Sequence, residues 1–177
     1  MNVRIAQFTD LSNAGALRDL TRLLCGAVNE GAAIGFLAPL DHDAAAAYWS
    51  SMAGRLTKDV RLVLAFDDAQ QIVGTGQLVL PWQTNGRHRA EVAKLIVDSD
   101  YRGRGIGLAI IRALEQIAIV ERRFLLVLNT RKDGYPVELY RRAGFVQSGE
   151  IPGYTCDASG SFQDTVLMHR WLPTTTW

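Results

Sequence analysis

Leu95-Ile96-Val97-Asp98-Ser99-Asp100-Tyr101-Arg102-Gly103-Arg104-Gly105-Ile106-Gly107 begins as an apolar run, stops at a polar corner, passes glycines at alternate positions and restarts as an apolar periodic segment. That pattern predicts a strand, a glycine-rich turn and a helix start. Glycine admits positive φ and lets a ligand approach the main chain closely. The first turn of a helix adds unpaired N–H groups at the positive end of its dipole. Together they make an anion site, usually for phosphate. Arg102 and Arg104 place positive charge beside it.

The rest of the chain sets bounds on what that site can serve. At 177 residues, 48% hydrophobic and 21% charged, it is a globular chain long enough to bury a core. A net charge of +1 gives no reason to expect nucleic acid or an anionic membrane as partner. Cys25 and Cys156 stand far apart without His/Cys ligand spacing, so neither a disulfide framework nor a zinc site is expected. His42, His88 and His169 share no spacing with carboxylates, and no metal is expected. The opening Met1-Asn2-Val3-Arg4 does not read as a signal peptide, and no apolar run reaches the ~18–20 residues of a bilayer span. The expected location is cytoplasmic.

Along the chain, Val3 to Phe8 alternates as a first strand. Ser12 is placed to cap a helix carrying Leu17, Leu20, Leu23, Leu24 and Val28. Asn29 to Pro39 reads as a loop, and Asp41 or Asp43 caps a second helix over Ala44 to Leu56. Strands follow at Val60 to Phe66, Ile72 to Leu80 and Arg89 to Val97, the last two separated by an Asn85-Gly86 turn. A helix from Ile106 leads to the short apolar run Phe124 to Leu128, the pattern of a strand buried on both faces, ending at Asn129-Thr130. Pro136 suits a helix start and Gly144 a C-terminal stop. Phe145 to Ile151 reads as a strand, Pro152 to Gly160 as a polar loop and Phe162 to Trp171 as the last strand. The expectation is one α+β domain over residues 1–172, with 173–177 a frayed tail. Its mixed, mostly antiparallel sheet has about seven strands flanked by about four helices.

Two familiar phosphate motifs fail on spacing. No glycine is followed by Lys-Ser or Lys-Thr, as a Walker loop requires. The third glycine of a dinucleotide fingerprint would fall on Leu108 or Ile110. Arg102-Gly103-Arg104-Gly105-Ile106-Gly107 instead resembles the Arg/Gln-x-x-Gly-x-Gly/Ala signature of the GCN5-related N-acetyltransferase (GNAT) superfamily. The flanking segments LIVDSDYRGRGIG and LYRRAGFVQSGEIPGY are similar to that superfamily's strand-to-loop and C-terminal segments. The resemblance covers most of the chain and is weakest over roughly the first 55 residues. Within the superfamily, LNTRKDGYPVELYRRAGF resembles a bacterial subgroup that includes the tabtoxin-resistance acetyltransferases.

The resemblance implies a GNAT fold, acetyl-CoA as co-substrate, and transfer of its acetyl group to an amine by direct attack in a ternary complex. Such chemistry needs a neutral amine, although a lysine-like amine has a pKa near 10.4. It also needs a stabilised oxyanion and a proton for the departing thiolate. Glu91 is the candidate base, directly or through water; Glu91, Ala93, Leu95 and Val97 share one face if no bulge intervenes. The plainer reading is a solvated glutamate paired with Arg89 or Lys94. The resemblance implies that Tyr140 is the general acid and the Val97 N–H the oxyanion donor. It further implies that Leu95, Ile96 and Val97 pair with the pantetheine arm, and that Arg102, Gly103, Arg104, Gly105, Ile106 and Gly107 hold the pyrophosphate. Asn129 stands where some relatives have an acid; a neutral amide can bind pantetheine or position substrate but cannot act as a base. Trp82, Trp49, Phe36 and Tyr154 are candidate walls of the acceptor pocket. The expected acceptor is a primary amine on a small molecule, such as a toxin or antibiotic. A protein or peptide acceptor, a non-catalytic acetyl-CoA sensor and a homodimer are the other expectations kept open.

Overall fold

A computed structural model describes residues 3–173; residues 174–177, most of the expected tail, lie outside them. The elements run β1 (Arg4–Phe8), α1 (Ala14–Asn29), α2 (His42–Ala53), β2 (Val60–Phe66), β3 (Ile72–Val79), β4 (Arg89–Val97), α3 (Ile106–Val120), β5 (Leu125–Arg131), α4 (Tyr135–Arg142), β6 (Val146–Cys156) and β7 (Phe162–Trp171). The strands form one seven-stranded sheet in the order β1-β2-β3-β4-β5-β7-β6, antiparallel except at β4–β5. That is the α+β sheet and helix count expected from the sequence. A parallel pair needs a crossover, and α3 supplies it.

Local chemistry fixes the helix ends. α1 is capped by Asn13, whose side chain accepts from the Gly15 and Ala16 N–H groups at 2.8 and 3.3 Å. Ser12 is not the cap; its hydroxyl and N–H are taken by Asp10. Asp41 caps α2 through the Ala44 N–H at 2.7 Å. The Asn85-Gly86 signal becomes a 3-10 turn over Thr84–Gly86.

Two cores lie on the two faces of the sheet. α1, α2 and the turn after α2 bury Leu20, Leu24, Trp49 and Leu56 against Leu62, Leu64 and Ile96. α3 and α4 bury Ile110, Ile111, Leu114 and Tyr140 against Val63, Val92, Leu126, Val166 and Met168. Each fully buried Leu or Ile contributes about 1.5–3 kcal/mol.

The first face is covered only in part: the two helices pack chiefly on one another, and α1 on β3 and β4. β5 alternates accordingly: Leu126 and Leu128 are buried, whereas Val127 is half-buried and Asn129 exposed. The expectation of a strand buried on both faces is therefore corrected. β5 also runs three residues past Leu128, to Arg131, so Asn129 lies inside the strand beside Leu167 of β7. The expected loop from Pro152 is mostly strand too: β6 continues through a bulge to Cys156, and the turn shrinks to the residues between Cys156 and Phe162. Polar edge-strand residues look like loop in sequence because a solvated edge needs no apolar alternation.

Candidate active site

β4 and β5 pair over only three positions, Arg89 with Leu125, Ala90 with Leu126 and Glu91 with Val127. Beyond them β4 continues to Val97 and β5 to Arg131 without pairing, so the sheet parts between them.

A bulge in β4 decides what faces the gap. Opposite β3 the register passes from Gln77–Ala93 to Thr75–Ile96, so Lys94 and Leu95 together oppose Gly76, and Lys94 takes φ +50°. An extra residue moves the strand's side chains to the opposite faces. Before the bulge, Ala90 and Val92 enter the α3–α4 core, which leaves Glu91 and Ala93 on the α1–α2 face. After it, Ile96 enters the α1–α2 core while Leu95 and Val97 pack toward α3. Glu91 therefore does not share a face with Leu95 and Val97, as a regular strand would have it.

The bulge also sorts the main chain. Asp98 N–H donates to the Val73 carbonyl at 2.9 Å, and Gly74 opposes Val97. Antiparallel pairs alternate, so the Val97 N–H turns away from β3 and into the gap. The Val97 carbonyl turns the same way and accepts from Arg102 Nε at 3.2 Å. Ile96, the next residue back, has its main chain committed to β3. Of the three expected pantetheine partners, Val97 turns its main chain into the gap, while Leu95 lies in the bulge with its side chain packed toward α3.

At the mouth of the gap, Gly103 and Gly105 take φ +74° and +78°, and no atom lies within 4 Å of where a Cβ would stand on either. Gly105 is the N-cap of α3 with no side-chain cap, and the first helical bond runs from Ala109 N–H to Gly105 O. The N–H groups of Ile106, Gly107 and Leu108 precede that bond and form an open cradle that fits an anion. Gly107 also serves packing, since a Cβ there would stand 3.0 Å from Leu139 Cδ2 and its bareness lets α4 close on α3. The arginines fasten the loop. Arg102 pairs with Glu30 at 2.6 Å, and Arg104 donates to the Asp100 carbonyl at 2.8 Å with its guanidinium 5.2 Å from the Tyr101 ring.

Glu91 is exposed, and neither Arg89 nor Lys94 pairs with it within ion-pair distance. Across the sheet its row runs Glu91, Val127, His169, Val146. Tyr140 lies on α4 with 7% exposure, and burial pushes its phenol up from the ordinary value of 10.0. Asn129 sits on the open face with Val127.

Of the four aromatic candidates, Phe36 alone stands beside charged site residues, edge-on to Tyr48 at 5.4 Å. Trp49 is core, its Nε1 donating to the Leu20 carbonyl at 3.0 Å. Trp82 and Tyr154 are exposed. Sequence reasoning missed Tyr48 and Gln77, which exchange hydrogen bonds at 3.1 and 3.0 Å beneath the loop after α1. It missed Lys94 as a site residue in its own right. It also missed Arg131, which reaches from the end of β5 to the Gly31 carbonyl and ties that loop across the gap. A polar residue inside an apolar strand was the available signal for Gln77.

A profile of the acetyltransferase (GNAT) family matches residues 35–145, the stretch that holds the bulged strand, the glycine cradle and Tyr140. The chain belongs to the acetyltransferase (GNAT) family. An uncharacterized N-acetyltransferase of Methanocaldococcus jannaschii is 34% identical over 76 residues, which is 41% of this chain and 34% of that protein. The match thus spans about a third of that relative's length. Among solved structures, a ribosomal-protein-alanine N-acetyltransferase from Brucella melitensis superposes with a TM-score of 0.77 at 21% identity, covering 97% of this chain and 100% of that one. A phosphinothricin acetyltransferase from Sinorhizobium meliloti, in complex with acetyl-CoA, gives 0.77 at 22% identity over 97% and 89%. Two acetyltransferase structures named for different acceptors fit equally well, so the likeness carries the fold and leaves the acceptor open. No helix among the described residues is long and apolar enough to cross a membrane.

Proposed function

We propose that this GNAT chain is an acetyl-CoA-dependent N-acetyltransferase that acetylates a primary amine of a small molecule. The observation that carries the reading is the parted β4–β5 gap. A donor amide turns into it, an anion cradle lies at its mouth, and an unpaired carboxylate stands on the open face beside it.

Acetyl-CoA supplies an acetyl group on a thioester. Its pyrophosphate is assigned to the Gly103–Gly107 amides, with Arg102 and Arg104 shaping the loop, and its pantetheine arm to the gap-facing main chain of Val97, with Leu95 beside it, near Asn129. Glu91 takes the proton of the acceptor amine, directly or through water. The Val97 N–H donates to developing negative charge on oxygen, and such a donor is worth most where water is excluded. Tyr140 gives its proton to the departing sulfur; a phenol kept protonated by burial is fit for that role.

Thiol release from acetyl-CoA with a panel of small amines, including β-lactam toxin analogues and aminoglycosides, against an N-terminal alanine peptide, tests the reading. Acetylation of a small amine that falls in Glu91→Gln supports it. Acetylation of the peptide alone makes the chain a protein acetylase. Binding of acetyl-CoA without release for any amine makes it a sensor.

A further inference from the structure

The β4 bulge places a lysine where its ammonium has rings around it and no acceptor. Lys94 Nζ lies 5.7 Å from the centroid of Phe36 and 5.5 Å from that of Tyr48. The loop after α1 comes down onto it: a Cβ on Gly35 would stand 3.5 Å from Nζ, and Gly35 holds φ +87° to make that approach. The side chain is half-buried. Among the described residues, Lys94 has neither a hydrogen bond nor an ion pair. The Tyr48 hydroxyl is already committed to Gln77. Ring faces attract a cation but offer its three N–H donors no oxygen. Burial pushes the ammonium below its ordinary value, and the charge of Glu91 only partly opposes that shift. A half-buried ammonium with no acceptor from the protein leaves its donors to water or a ligand, and an anionic oxygen meets them best.

The arrangement along β4 gives that preference a direction. Glu91 and Lys94 lie on the same face, one negative and one positive, three residues apart on a strand that rises about 3.3 Å per residue. Opposite charges at that spacing are the complement of a short zwitterion.

Resting on the transferase reading above, we propose that Lys94 is the specificity-determining residue of the acceptor site. It receives an acid group of the substrate while the amine lies toward Glu91. The acceptor class is then a small amine that also carries a carboxylate or similar oxyanion, and not a polycation. Phe36 and Tyr48 hold the ammonium in place, and the Gly35 main chain limits the room beyond it.

The experiment compares kcat/KM by thiol release for 4-aminobutyrate and 4-aminobutanamide, with kanamycin as the polycation, in the wild type, Lys94→Met, Lys94→Gln and Lys94→Arg. The acid-to-amide ratio cancels any general loss in a variant. The expected result is a wild-type preference for the acid that falls about tenfold in Lys94→Met and Lys94→Gln, mainly through KM, and is largely restored in Lys94→Arg. An unchanged ratio in both neutral variants overturns the proposal and leaves the transferase reading intact. Turnover of the amide or kanamycin but not the acid by the wild type does the same. If no amine releases thiol while calorimetry shows acetyl-CoA bound, the transferase reading fails and this proposal falls with it.

Discussion

Tyr140 and Phe145 meet edge to face, ring centroids 5.7 Å apart, and that contact closes the last turn of α4. Phe145 N–H donates to the Tyr140 carbonyl at 3.0 Å and Gly144 N–H to the Arg141 carbonyl at 2.9 Å. This is the glycine-ended helix stop with its customary apolar contact across the turn. The residue proposed as the acid is thus held by the device that ends its own helix. Gly144 sits at φ +90°, and a Cβ there would stand 3.0 Å from Arg170 Nη1. Gly144→Ala is expected to cost about 1–3 kcal/mol in urea unfolding and to lower kcat as Tyr140 loses its anchor.

Tyr140→Phe separates packing from chemistry. The hydroxyl has no hydrogen-bond partner among the described residues, so stability should change by less than about 1 kcal/mol. If the phenol donates the proton, kcat should fall about 10²–10⁴-fold. The phenol's pKa is raised in the fold, so the native state holds that proton more tightly than the unfolded chain does. Wild-type stability is therefore unaffected below the ordinary value of 10.0 and falls as pH rises above it. Tyr140→Phe should lack that part of the alkaline loss, which thermal melts between pH 8 and 11 would show.

The fold was legible where periodicity was strong. β2 and β4 match their expected bounds, and Gly144 stops α4, because apolar alternation and a left-handed glycine are local signals. The glycine cradle was legible for the same reason. What stayed hidden depends on partners. The choice of Asn13 over Ser12 as cap turned on which side chain Asp10 had already engaged. The β4 bulge is a register shift against β3 with no glycine or proline to announce it, so the face of Glu91 could not be read from spacing. Lys94 entered the sequence reading only as a partner for Glu91, because the rings that flank it arrive from residues 36 and 48.

Glu115 anchors the far side of the domain. Its side chain is 5% exposed on α3 and pairs with Arg170 of β7 at 2.8 Å and with Arg112 at 2.9 Å. Removing one member of a buried pair strands the other charge. Glu115→Ala is expected to lose about 3 kcal/mol in chemical unfolding. Arg112→Ala should lose far less, because its side chain is 48% exposed.

Gly105 and Gly107 stand two residues apart, one capping α3 and one in its first turn, yet they should fail differently. Gly105 faces open space at φ +78°, so Gly105→Trp puts a large side chain where the cradle would hold an anion. Calorimetric affinity for acetyl-CoA should be lost, and the left-handed conformation should cost only about 1–2 kcal/mol of stability. Gly107→Val instead forces Leu139 away from its 3.0 Å approach, so the cost falls on the α3–α4 packing that places Tyr140. Stability should drop by about 1–3 kcal/mol, with the larger part of the activity loss in kcat. Retained acetyl-CoA affinity in Gly105→Trp would remove the cradle from the binding site, whatever Gly107→Val did.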